Sequence, residues 1–371
     1  MVLMSKNNEL LSLLTRRIKE TADLIKDKDA DALLVFNRAN YRYLTNFTGE
    51  EAQLIITKNG DRVLLSDSRF APQIEAQAVG ELKVVMKHGH EAAEIAAEVK
   101  KLGVKKLLVE AEFVSAYEYD AIKSQLPDVD LVMAAEIVER VRNVKDDLEL
   151  STLKKAVEIS ERAFEEVLPM LKPGAKERDV GAKLDYLFKL YGGDGPGYDS
   201  IIASGPRSSW AHGVASDRLM QEHELVVIDA AASYNGYTAD ITRTYALGSV
   251  EDELEKIYKI VLEAQKRGIA AAVVGATGKD VDQAARGYIN DAGYGQYFGH
   301  GIGHGIGLEI HEMCQPEFLF SQTTLENGIV HTVEPGIYLP QGGVRIEDDI
   351  LVNGDTPEVL STLPKDELIH L

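Results

Sequence analysis

Two aspartates eleven residues apart raise the first chemical question. Asp229 and Asp240 fall in the stretch VVIDAAASYNGYTADITRT, residues 226–244. Asp229 sits inside an apolar run, where a lone carboxylate is costly to bury. Asn235-Gly236 is a two-residue turn signal between strand-like segments. A turn there sets Tyr234 opposite Tyr237, so paired positions sum to 471 and Asp240 stands opposite Ala231. Side chains alternate faces along a strand, which makes the two aspartates diagonal neighbours on one face. Two buried carboxylates this close repel, and one must hold a proton unless a cation lies between them. The alternative is a pairing of one aspartate with Arg243 or with a backbone amide.

The stretch YFGHGIGHGIGLEIHE, residues 297–312, is the second chemical feature. Glycine occupies 299, 301, 303, 305 and 307, and in an extended chain His300 and His304 line the opposite face. The glycines do not fit the dinucleotide-binding fingerprint, and Gln315 prevents His311-Glu312 from opening an HExxH site. Alternating glycine lets another backbone or a substrate approach closely. On a strand, His300 and His304 would be roughly 13 Å apart, too far to share an ion. Glu334 in GIVHTVEPGIYL and Glu347 in GGVRIEDDILV stand in strand-like settings, where pairing with a base such as Arg345 is the simpler reading of each alone. Taken together, Asp229, Asp240, His304, Glu334 and Glu347 offer four carboxylates and one imidazole, a donor set suited to a pair of divalent ions. Such a pair can activate a bridging hydroxide and hold both oxygens of a reacting group.

Residues 1–140 must fold around other segments. ALLVF (32–36), KVVMK and KLLVEAE read as strands, QLIITKNGDRVLLSD (53–67) reads as a hairpin turned at Asn59-Gly60, and EAAEIAAEVKKLG reads as a helix. This is an α/β domain without a cluster of metal-type ligands; His88 and His90 read as solvated loop residues. Residues 141–371 form the second domain, entered through a long helix that stops at Lys172-Pro173-Gly174. Within it, 174–192 aligns faintly with 275–293 at an offset of 101, which suggests a pseudo-twofold arrangement with a site where the halves meet.

Composition excludes several classes. The net charge of -20 argues against nucleic acid and anionic membranes as partners. The one cysteine, Cys314, excludes an internal disulfide framework. The N-terminal segment has charges where a signal peptide needs an apolar core, and its leucines and isoleucines recur at helical spacing. A cytoplasmic enzyme is the expectation.

Four blocks, AHGVASDR, VVIDAAASYNGYTADITRT, FGHGIGHGIGLEIHE and TVEPGIYLPQGGVRIEDDILV, resemble in order those of the Xaa-Pro peptidases, aminopeptidase P and prolidase, of the pita-bread metallopeptidase family. The resemblance spans nearly the whole chain. It implies an α/β creatinase-like N-terminal domain followed by an α+β pita-bread catalytic domain. It further implies that Asp229 chelates one metal, that Asp240 and Glu347 bridge two, and that His304 and Glu334 complete the other shell. Glu334 would also receive the proton of the nucleophilic water. His212 and His311 match residues that contact substrate or steady the tetrahedral intermediate, and His300 lines the same pocket. Arg345, counted with His300 on the substrate side, matches a residue that orients the bridging carboxylate. Two divalent ions are implied, manganese first, with cobalt or zinc as alternatives, and a homodimer.

The chain departs from the family where Ala230-Ala231-Ala232 follows Asp229 and where no arginine follows His311. Residues 312–333 contain no Lys or Arg. A dedicated dipeptidase needs a cation for the free carboxylate of proline, and Arg207 is the nearest candidate. These observations favour aminopeptidase P-like cleavage of the Xaa-Pro bond over a dipeptidase. A methionine aminopeptidase, which lacks the extra domain, and a non-catalytic peptide-binding relative, which would have lost ligands, fit less well.

Overall fold

The computed structural model describes residues 2–312 and 324–371 and divides into two compact units, Met1–Arg142 and Asn143–Leu371. Cys314 and the stretch from residue 313 to 323 lie outside the described residues.

In the first unit, a helix, Val2–Asp27, buries Leu14, Thr21, Ala22 and Ile25 at helical spacing. Six strands follow: β1 Ala32–Val35, β2 Ala52–Thr57, β3 Arg62–Asp67, β4 Lys83–Lys87, β5 Lys106–Glu110 and β6 Asp130–Ala134. Their order is β4-β3-β2-β1-β5-β6. β1, β5 and β6 are parallel, β2 is antiparallel to both its neighbours, and β4 runs parallel to β3. The β2–β3 loop differs from a two-residue turn. Thr57 accepts from Gly60 and donates to Asp61, and Gly60 has φ +90°, so three residues close the hairpin with glycine in the left-handed position. Glu110 ends β5 buried, accepting from the amides of Phe36 and Asn37 at 2.7 Å each and from Asn40 Nδ2 at 2.7 Å. His88 and His90 are exposed.

The second unit opens with the helix Asp147–Val167, capped by Asp146 and Glu149 in a reciprocal capping box. The helices Glu177–Leu190 and Gly278–Asp291 begin and end 101 residues apart, and each follows a long helix, the second being Asp252–Ala271. The residues just before them make isolated bridges, Lys176 to Leu219 and Thr277 to Thr324. The faint sequence repeat is therefore a repeat of structure. The helices cover small sheets, antiparallel except where Thr242–Leu247 runs parallel to Ile369–His370. One contains Ile201–Ser204, Glu224–Asp229, Thr242–Leu247 and Ile369–His370; a second contains Val330–Val333, Asp348–Leu351 and Glu358–Val359. The strand Gly336–Leu339 pairs with Gly342–Arg345. Apolar residues from these helices and strands form two buried clusters.

Candidate metal centre

The hairpin register continues beyond its tip. Tyr234 pairs with Tyr237 around the turn, and further down Asp229 pairs with Thr242, so the pairing sum of 471 persists. Asp229 closes the strand Glu224–Asp229, and Asp240 lies two residues before the strand Thr242–Leu247. Both side chains line one cavity of about 480 Å³. The same cavity is lined by His212, His300, His304, His311, Glu334, Arg345 and Glu347. All nine residues singled out in the sequence thus converge, although they come from positions 212 to 347.

The glycine-rich stretch is not the strand expected from its alternation. Residues 299–310 form no regular strand among the described residues, and Gly305 makes only single bridges, to Glu312 and His331. The close backbone approach that glycine permits is present. A Cβ on Gly303 would lie 2.1 Å from the carbonyl oxygen of Thr332. The amide of Thr332 donates to the carbonyl of His304 at 2.9 Å, and Glu334 donates to that of Ile302 at 2.7 Å. These bonds bring His304 to Glu334. His304 Nε2 lies 3.5 Å from Glu334 Oε1 and 3.4 Å from Asp240 Oδ2.

Ligand atoms of Asp240, His304 and Glu347 all lie within 4.8 Å of one another, and the three side chains are buried. Glu347 Oε2 accepts from Thr242 Oγ1 at 2.5 Å, whereas its buried Oε1 has no hydrogen-bond partner among the described residues. Such an orphaned acceptor beside other carboxylates is costly unless a cation meets it. Burial first, then the charges of Asp240, Glu334 and Asp229, push Glu347 well above the usual carboxylate range. Asp229 is raised by burial, against the opposing pull of Arg345. Glu334 is pushed up by burial to about 7, His304 opposing and Asp240 adding. Burial alone would lower His304, but Asp240 and Glu334 outweigh it and raise the imidazole to about 9. Excess negative charge is thus held by protons, and divalent cations would replace them. The donor set and its geometry fit divalent ions.

Three partners were not visible in the sequence. The Tyr198 hydroxyl lies 2.7 Å from Asp229 Oδ1 and 2.5 Å from Asp240 Oδ1, joining the two aspartates. Tyr198 is placed by its chain neighbours: Gly197 donates to the carbonyl of Ala231, and Ile201 pairs with Asp229. Asp349 Oδ2 accepts from the Asp240 amide at 3.1 Å. Tyr338 hydroxyl lies 2.8 Å from His300 Nε2 and accepts from Arg345 Nη1 at 3.0 Å.

Two arginines differ from expectation. Arg345 Nη2 donates to Asp229 Oδ2 at 2.6 Å and its Nε to Thr242 Oγ1 at 3.2 Å, so it steadies Asp229 rather than a carboxylate expected to bridge. It is buried, and its hydrogen bonds face the site's own residues. Arg243 pairs with Asp348 at 2.7 Å, not with either aspartate of the hairpin. Arg207 does not line the cavity: its guanidinium meets Glu177 and the carbonyl of Val214, and stacks over Trp210 at 4.9 Å.

The histidines divide by surroundings. His300 is lowered by burial and by Arg345 to about 4, and is neutral at neutral pH. His311 is lowered by burial and by His304, whose ring is 4.2 Å away edge-on. His212 is exposed on the cavity rim.

Residues 151–354 match metallopeptidase family M24, and residues 17–144 match the creatinase/prolidase N-terminal domain. The chain is 35% identical to a Xaa-Pro dipeptidase of Pyrococcus horikoshii, over 92% of this chain and 95% of the relative. Among solved structures, a Xaa-Pro dipeptidase from Bacillus anthracis is similar with a TM-score of 0.92 and 41% identity, covering 96% of this chain and 100% of that one. An X-Pro aminopeptidase from Thermotoga maritima follows with 0.84 and 38%, covering 92% and 98%.

Proposed function

Because the chain belongs to metallopeptidase family M24, with a creatinase-like N-terminal domain ahead of a pita-bread catalytic domain, we propose that it hydrolyses the Xaa-Pro bond at the N-terminus of peptides with two divalent ions. The observation that carries this reading is the convergence of Asp240, His304 and Glu347 donor atoms within 4.8 Å, beside Asp229 and Glu334. Asp229, Asp240, His304, Glu334 and Glu347 would hold the ions, Asp240 and Glu347 serving both. Manganese is the leading candidate, with cobalt and zinc as alternatives.

Bound ions supply a Lewis acid for the scissile carbonyl and a water of lowered pKa. The chain's own residues do the rest. Glu334 Oε1 accepts the proton of the attacking water and passes it to the leaving proline nitrogen. His311, kept neutral by burial and by His304, donates toward the carbonyl oxygen as it gains charge. His212 does the same from the rim. Arg345 holds Asp229, and Tyr338 holds His300 against the cavity wall. A homodimer is part of this proposal and is tested by sedimentation.

Among the described residues, Arg345 is the one Lys or Arg lining the cavity, and Asp229 occupies it. Arg207 is held by Glu177. This supports aminopeptidase P-like cleavage, in which proline carries no free carboxylate. The Xaa-Pro dipeptidase reading is favoured by the names of the Pyrococcus horikoshii and Bacillus anthracis relatives. The deciding experiment measures kcat/KM for matched Xaa-Pro and Xaa-Pro-Yaa substrates with added manganese. Tripeptides cleaved at least as well as dipeptides support the first reading. A tenfold or greater preference for the dipeptide establishes the second.

A further inference from the structure

His212 reaches the cavity from a loop, and its side chain has no hydrogen bond to the described residues to fix it. Its position therefore depends on the backbone that carries it. That backbone is tied at both ends to one side chain. Glu177, wholly buried in the first turn of the helix Glu177–Leu190, directs Oε1 to the amide and hydroxyl of Ser204 at 2.8 and 2.7 Å. Its Oε2 accepts from the amide and hydroxyl of Ser216 at 3.2 and 2.6 Å, and from Arg207 Nη1. Ser204 and Ser216 bracket His212 in the chain. Arg207 closes the loop from within, since its Nη2 donates to the carbonyl of Val214 at 2.8 Å. One carboxylate thus takes five donors, all from the segment between Ser204 and Ser216.

A carboxylate in the first turn favours the helix, but that role needs neither full burial nor five donors from one loop. A fully buried carboxylate spending both oxygens on one substrate-facing loop indicates a positioning task, because ordering a loop before substrate arrives lowers the cost of reaching the reactive geometry. We propose that Glu177 and Arg207 form a clamp that sets His212 for its contact with the reacting peptide, and that neither touches substrate or metal. This rests on the reading of His212 as a substrate-facing residue.

The test is a double-mutant cycle. Glu177→Gln keeps the volume but removes the charge and turns a donor toward donors. In the otherwise wild-type enzyme it should lower kcat about 10- to 100-fold, with KM changed far less, since misplacement of about 1 Å costs up to about a hundredfold. Manganese content and affinity should stay within twofold of wild type. In a His212→Ala background the same substitution should have less than a threefold further effect, because the group it positions is gone. Arg207→Ala, on the rim of the clamp, should follow the same pattern and serves if the Glu177 variant does not fold. Additive losses in the two backgrounds, full activity of both clamp variants, or loss of metal would overturn the proposal. Full activity of His212→Ala by itself would instead overturn the role given to His212.

Discussion

Replacing Asp240 by asparagine should have opposite effects on metal binding and on the stability of the metal-free protein. Asp240, His304 and Glu347 present ligand atoms within 4.8 Å of one another. At that distance and an effective dielectric constant of about 20, two unit charges interact by about 3.5 kcal/mol. A divalent ion carries twice the charge, so its attraction to Asp240 would be at least about twice that. Removing the charge also relieves the repulsion between Asp240 and Glu347, which returns about half. The net loss is about 3.5 kcal/mol, or two to three orders of magnitude in affinity. Without metal the sign reverses. Glu347, Glu334 and Asp229 are all raised, with Asp240 among the causes. A carboxyl raised above its ordinary value contributes stability at low pH that is lost as pH rises through the folded value. At pH 8 the metal-free Asp240→Asn protein should therefore melt several degrees above metal-free wild type. Calorimetric titration of chelator-stripped protein with manganese, together with melting curves with and without the ion, measures both effects. Wild-type affinity in the variant, or a metal-free variant that melts lower than wild type, would refute the reasoning.

Tyr198→Phe removes the hydroxyl shared by Asp229 and Asp240 and should weaken manganese binding about 10- to 100-fold, read by titration with the melting temperature as control; unchanged affinity would make the contact incidental. His311→Ala should lower kcat about a hundred- to a thousandfold with metal content intact by elemental analysis; loss of metal would make His311 part of the ion shell. In the first unit, Glu110 is raised by burial to about 7, so its stabilising effect is complete below about pH 4.5 and disappears as pH rises through 7. The linked cost is about 3 kcal/mol. Hydrogen exchange at the amides of Phe36 and Asn37, compared between wild type and Glu110→Gln, should show protection falling from pH 5 to 8 in wild type only, after correction for intrinsic exchange. Equal pH dependence in both proteins would contradict it.

Much of this centre was legible because local rules govern it. Asn235-Gly236 determines the hairpin register, and the register places Asp229 and Asp240 on one face. The repeat at an offset of 101 was visible as a few shared residues and emerged as paired helices with equal spacing. Other contacts were hidden because they join distant parts of the chain. Nothing near Tyr198 announces that it reaches Asp229, 31 residues on, and Asp240, 42 residues on. Arg345 and Asp229 are separated by 116 residues. Both Asp229 and Glu347 were plausible partners for a neighbouring base, and only tertiary packing chooses. The alternating glycines suggested a strand because alternation is a strand's period. Glycine carries no side chain to hold one face, and the path between Gly299 and Ile310 follows its neighbours, with Gly303 against Thr332. Arg207 looked available for a substrate carboxylate because Glu177, 30 residues earlier, gave no sign of taking it.

On the proposed reading, this cavity is a metal-dependent site for cleaving the bond before a proline. The most direct measurement compares one peptide, Xaa-Pro-Yaa, with its Xaa-Ala-Yaa counterpart, using protein stripped by chelator and the same protein restored with manganese. Release of Xaa from the proline peptide alone, absent after stripping and returning with about two ions bound per chain, is the predicted result. Equal cleavage of both peptides, or cleavage that persists in the stripped protein, would contradict it.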